Sequence, residues 1–144
     1  MAQSSPRHSV SVAAAVVDQD GRLLAVRRRD NGHWEPPGGV LELDETIPAG
    51  LVREVREETG LEVEPEALTG VYKNMRRGIV ALVFRSRIVA GEPRATNEVV
   101  EVAWLTPDEV RERMDEAYAT RLLDALNSGP AAIRAHDGLS LLRA

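Results

Sequence analysis

The chain of 144 residues has no cysteine, which removes disulfide scaffolds, zinc ribbons and thiol chemistry. Any metal must then be held by oxygen ligands, a preference of hard ions such as magnesium or manganese. It also lacks an excess of positive charge: 18 basic against 23 acidic side chains leave a net charge of −5, unlike a general nucleic-acid binder. Long hydrophobic runs are missing as well. The apolar stretch Val12–Val17 stops at Asp18, far short of the roughly 18 residues of a membrane span. The opening MAQSSPRHS has no apolar core or cleavage site of a secretory signal. These absences lead to the expectation of a cytoplasmic protein with neither nucleic acid nor membrane among its partners.

Length and composition fit one globular domain, since a chain of this size buries roughly 68–70% of its unfolded surface. Residues 1–8 are polar and read as a loose N-terminus, 9–129 as the domain, and 130–144 as a tail of unsettled order. Ser9–Val17 and Arg22–Arg29 flank the turn Asp18-Gln19-Asp20-Gly21, which predicts a β-hairpin. Glu35-Pro36-Pro37-Gly38-Gly39 excludes regular helix or an ordinary central strand. Thr46–Thr59 is a predicted helix, with Thr46 as N-cap, Pro48 in the first turn and Gly60 as the stop. Leu61–Val63, Ala67–Lys73, Ile79–Val89 and Val99–Leu105 read as extended, and Pro107–Met114 and Ala117–Leu126 as short helices. Strands interleaved with helices indicate an α/β or α+β domain.

Acid is concentrated between Glu35 and Glu66, where Arg53 and Arg56 are the only basic residues. Glu54, Glu57 and Glu58 stand at i, i+3 and i+4 on the predicted helix and project within one arc of about 100°. Carboxylates placed so closely repel one another unless cations or arginines compensate. A solvated helix face is the plain explanation; surrounding divalent ions is the functional one. Leu51, Val52 and Val55 occupy the neighbouring arc, so the acidic edge lies beside a core. Arg53 is spaced to orient Glu57 or Glu45 by a charged hydrogen bond.

Gly39, Glu45, then Arg53-Glu54-Val55-Arg56-Glu57-Glu58-Thr59-Gly60-Leu61 resembles the Nudix box, G-x5-E-x7-R-E-U-x-E-E-x-G-U with U aliphatic, at all nine specified positions. The box spans residues 39–61, and the whole chain looks like a stand-alone, MutT-like Nudix domain. The resemblance implies an α/β/α sandwich with a mixed β-sheet. It also implies a magnesium- or manganese-dependent hydrolase that cleaves a nucleoside diphosphate linked to another moiety. Carried over residue by residue, it makes Glu54, Glu57 and Glu58 metal ligands, with the Gly39 carbonyl as a further one. Glu54 becomes a candidate for activating water, and Arg53 and Glu45 a supporting pair. Some members use an additional glutamate before a tryptophan-containing strand; Glu98 and Glu101 both precede Trp104, and Glu98 is preferred. Similar proteins often form homodimers.

Candidate phosphate contacts are Arg27 and Arg29 on a strand and Lys73, Arg76 and Arg77 on a loop, against the plainer reading of exposed basic surface. Trp34, Tyr118 and Asn127 are weaker candidates for a base pocket. Marks of the NADH, coenzyme A, ADP-ribose and diadenosine polyphosphate subclasses are missing. Elimination leaves a nucleoside triphosphate as the expected substrate, with ADP-ribose or a nucleotide sugar as the alternative. A non-catalytic ligand sensor is the reading from another class, but such modules commonly lose box glutamates, and this chain keeps them all. A prenyl diphosphate isomerase of the same superfamily needs a cysteine and drops out.

Overall fold

The computed structural model describes residues 5–143; the first four of the eight N-terminal residues expected to be loose lie outside them. Twelve elements follow in order: β1 (Ser9–Val16), β2 (Leu23–Arg28), β3 (Trp34–Glu35), β4 (Gly38–Val40), α1 (Ile47–Thr59), β5 (Glu62–Asn74), β6 (Ile79–Ala90), β7 (Val99–Leu105), α2 (Pro107–Arg113), α3 (Glu116–Asp124), β8 (Ala132–His136) and β9 (Leu141–Leu142). A mixed six-stranded sheet has the order β4-β1-β6-β5-β8-β9, and a smaller sheet has the order β3-β2-β7.

Strand β1 explains the layering. Successive side chains of a strand point to opposite faces, and here both faces are buried. Ala13 and Ala15 join a core with Leu23, Tyr72, Val83, Val110 and Leu122, under α2 and α3. Val12, Ala14 and Val16 join a second core with Leu51, Val55 and Leu61, under α1. Helices therefore cover both faces of the sheet, the α/β/α arrangement expected.

The β1–β2 hairpin does not form. β1 pairs with β4 along one edge and with β6, in parallel, along the other, so neither edge remains for β2. The Asp18–Gly21 turn exists, held by the Asp18 carboxylate accepting the N–H groups of Asp20 and Arg22 at 2.9 and 2.8 Å. It carries the chain into the second sheet, and a lone bridge between Val17 and Leu23 is what survives of the pairing. The two extended stretches around Pro65 are one strand, β5, whose register slips let Pro65 and Gly70 stay within it. Residues 130–143, expected as a tail, supply β8 and β9; β8 lies parallel to β5 from Gly70 to Asn74. No helix among the described residues is long and apolar enough to cross a membrane.

Candidate active site

Helix α1 starts and stops as its termini dictate. The Thr46 hydroxyl accepts the Ala49 N–H at 3.3 Å, and Gly60 takes the left-handed conformation, with φ of 78°. Gly50 is explained by crowding: a Cβ there would collide with Leu41 and lie 2.8 Å from Oε1 of Glu45. The loop before the helix thus presses directly on its backbone and delivers Glu45 to it.

Arg53 gathers the acidic edge. Its Nε and Nη2 donate to the two Glu45 oxygens at 2.9 and 2.6 Å. Nη1 donates to Glu54 at 3.0 Å and Glu57 at 3.2 Å, and Nη2 also reaches the Val40 carbonyl at 3.3 Å. Glu45 also accepts the Glu42 N–H at 2.9 Å. The Arg53 hydrogen bonds, with that N–H adding to them, hold the Glu45 carboxyl down at about 2. Its charge is secure, so Glu45 is a fixed anchor for Arg53.

The three helix glutamates have different surroundings. Glu57 is half exposed. Glu54 is largely covered, and desolvation, with the charges of Glu57 and Glu98 adding to it, raises its pKa against the pull of Arg53. Glu58 is 4% exposed and accepts one hydrogen bond, from the Gly38 N–H at 2.7 Å. Burial pushes its carboxyl up to about 8, helped by the charges of Glu54 and Glu35. Gly39 lies against Glu54 so closely that any Cβ would overlap the carboxylate. Glycine at 39 is what lets the β4 backbone pack against that carboxylate.

These donors fit a hard divalent cation. They are all oxygen, the three glutamates sit on one rigid helix, and two of these are desolvated carboxylates whose charged forms need a positive partner. Among the described residues no three His, Asp or Glu side chains already converge on one point. Arg53 supplies the positive charge between Glu54 and Glu57, and Gly38 engages Glu58.

Glu98 enters the same region from another element. It shares a groove with Glu57, Arg56, Arg94 and Thr96, on the loop leading into β7. Glu101 instead lies opposite Arg27 in the β2–β7 pair.

Of the five expected phosphate contacts, Arg77 borders a cleft beside Gly39 and the other four do not. This cleft of about 460 Å³ runs from Gly38 and Gly39 to α3, lined by Arg28, Glu35, Asn74, Arg77, Tyr118 and Arg121 among others. Arg27, Arg29, Lys73 and Arg76 are not in its wall. Arg27 donates to the Gly32 carbonyl at 3.2 Å, and Arg29 clamps the Asn97 and Thr96 carbonyls at 3.0 and 3.1 Å. Lys73 lies beside Ile133 and Leu142 on a separate surface. The cleft takes the neighbouring Arg28 and Asn74 instead, and of the loop pair it takes Arg77. A register shift between Arg27 and Arg28 marks the first of these positions, and alternation along β5 the second. Of the weaker candidates, Tyr118 lines the cleft, whereas Trp34 packs against the core. Arg121 and Glu35 were not singled out from the sequence; nothing local distinguishes either.

Comparison with known proteins agrees with the box and the fold. The NUDIX domain model matches residues 7–126. A MutT-like protein of Streptomyces ambofaciens is 62% identical over 143 residues, covering 99% of this chain and 93% of the relative. An ADP-ribose pyrophosphatase of Methanocaldococcus jannaschii is 31% identical over 101 residues, 65% of this chain and 60% of that protein. The solved structure of a NUDIX hydrolase from Nitrosomonas europaea superposes with a TM-score of 0.73 at 28% identity, covering 83% of this chain and 89% of that one. The chain belongs to the Nudix hydrolases, enzymes that act on phosphoric anhydrides with the help of divalent metal ions.

Proposed function

We propose that this hydrolase cleaves a nucleoside 5′-triphosphate, with magnesium as its metal and manganese as a substitute. The observation that carries the site assignment is the Arg53 fork, which holds Glu45, Glu54 and Glu57 together beside the Gly39 backbone. In this reading Glu54, Glu57, Glu58 and the Gly39 carbonyl hold the metal, with Glu98 completing the set from its loop. Bound divalent ions would neutralise the phosphate oxygens and make water more acidic.

The chain's own residues do the rest. Glu54, desolvated and steered by Arg53, is placed to accept the proton of the attacking water at a carboxylate oxygen, with Glu98 as the alternative acceptor. Glu45 keeps Arg53 in one rotamer, so the glutamates are oriented before substrate arrives. Arg28 and Arg77 bring positive charge to the cleft wall between the acidic edge and α3.

Hydrolysis of a substrate panel with magnesium or manganese tests the reading, with products separated by chromatography. The panel spans ordinary and oxidised nucleoside triphosphates, ADP-ribose, sugar nucleotides and dinucleotides. Triphosphates should turn over fastest, and Glu57→Gln should abolish turnover without lowering thermal stability, because Glu57 is half exposed. Preferred cleavage of ADP-ribose would replace the triphosphate reading. Binding without turnover anywhere in the panel would favour a sensor.

A further inference from the structure

The cleft bordered by Gly39 also holds a cation with no ion-pair partner among the described residues. Arg121 projects from α3, its guanidinium carbon 4.7 Å from the ring centre of Tyr118 and 5.7 Å from that of Tyr72. Its Nε is buried without a hydrogen-bond partner among the described residues. Among the described residues no carboxylate forms an ion pair with it.

One contact looks like compensation and is not. Nη2 of Arg121 stands 3.3 Å from Nε2 of His136. His136 Nδ1, however, already accepts the Gly138 N–H at 3.0 Å. A neutral ring must then carry its proton on Nε2, and two donors face each other. Burial, with the charge of Arg121 added, keeps that ring below the usual histidine range. Arg121 is thus held by aromatic faces, and its buried Nε has no partner among the described residues to offset its desolvation. Its donors are left to something that enters the cleft.

Glu35 lines the same cleft. It feels the charge of Arg121, as Arg121 feels that of Glu35, yet the two do not pair. Its one close partner is Arg28, 3.6 Å away, and it accepts no hydrogen bond from a described residue. A donor and an acceptor therefore border one cavity without pairing across it.

We propose that Arg121 and Glu35 read the lactam edge of a nucleobase, a ring carbonyl beside a ring N–H, and so select keto bases over amino bases. The proposal rests on the reading that the substrate is a nucleotide. Arg121 donates to the carbonyl and Glu35 accepts from the N–H. Guanine, hypoxanthine and uracil present that pair. Adenine and cytosine place an amine where the carbonyl should be, leaving Arg121 facing another donor. A site built for hydrogen bonding rejects such an analogue because its own buried groups stay unpaired. The diphosphate then extends from the base toward Gly38 and Gly39.

Binding of nucleoside 5′-monophosphates, which have no phosphoanhydride to lose, tests this without turnover. Titration calorimetry should find GMP, IMP and UMP about tenfold or more tighter than AMP and CMP. Arg121→Met should erase the preference while leaving thermal unfolding unchanged or raised, since it removes a buried N–H that has no partner among the described residues. Glu35→Gln should weaken the keto bases selectively. Equal or tighter binding of AMP in the parent, no binding of any monophosphate, or a preference that survives Arg121→Met would overturn the proposal. A base preference with no hydrolysis in the substrate panel would leave this inference standing and remove the catalytic reading. Triphosphate hydrolysis with no base preference would do the reverse.

Discussion

Arg53 meets Glu45 edge to edge, Nε and Nη2 against the two carboxylate oxygens at 2.9 and 2.6 Å. The pair joins the loop after β4 to the middle of α1. It also leaves Nη1 as the one guanidinium nitrogen directed at Glu54 and Glu57. An arginine that only balanced charge would not need so determinate a geometry.

Lysine keeps the charge but not the planar fork. Arg53→Lys should lower kcat by about 10- to 100-fold, the usual cost of losing an outer partner of a metal site, with a smaller effect on KM. Steady-state kinetics on the best panel substrate measures the split. An unchanged kcat would reduce Arg53 to a charge-balancing role.

Gly50 opposes helix propensity, and alanine in an open helix position would add about 1 kcal/mol. Here the added Cβ meets Leu41 and Glu45, and overpacking of this kind costs about 1–3 kcal/mol. Gly50→Ala should therefore lower the melting temperature by a few degrees and reduce activity, because Glu45 is displaced. Differential scanning calorimetry beside kinetics checks both; a stabilised, fully active variant would show that the loop yields at no cost.

The Asp124 carboxylate ties three elements together. It accepts the Tyr72 hydroxyl at 2.7 Å and Arg134 Nε and Nη2 at 2.7 and 2.8 Å. Asp124→Ala leaves the hydroxyl of the buried Tyr72 unpaired, at a cost of about 1–3 kcal/mol. Denaturant unfolding should register the loss, and hydrogen exchange should rise first in β8.

His136 gives stability an acid-side slope. Its folded pKa lies below the ordinary histidine value, from burial first and the Arg121 charge second. As pH falls through about 6.5 the unfolded chain takes up a proton that the folded ring resists. The contribution is full above that pH and declines below it. Melting temperatures from pH 8 to 5 should fall more steeply for the parent than for His136→Asn, which has no proton to gain. Parallel curves would remove His136 as the source.

Helix α1 and its glutamates were legible in the residues because everything that specifies them is local. The N-cap at Thr46, the left-handed Gly60 and the three-and-four spacing of Glu54, Glu57 and Glu58 all act within one or two turns. Even the Arg53–Glu45 pair lies within eight residues. The cleft was not legible in the same way. Arg28 rather than Arg27 or Arg29 borders a cleft whose other walls come from β1, β4, β6 and α3, brought together from across the chain. Alternation gives the parity of a strand, but not which face will border a cavity.

What the amino-acid order determined by itself was the acidic helix, its turns and caps, and the family to which the nine box positions point. Tertiary structure alone decided which strand takes each edge of β1, why residues 130–143 join the sheet, and which side chains surround the cleft. The physical reason is range. Capping and helical periodicity are satisfied by neighbours along the chain, whereas an edge of β1 goes to whichever distant strand buries it best. The surroundings of Arg121 exist only because α3, β5 and β8 bring Tyr118, Tyr72 and His136 together around it.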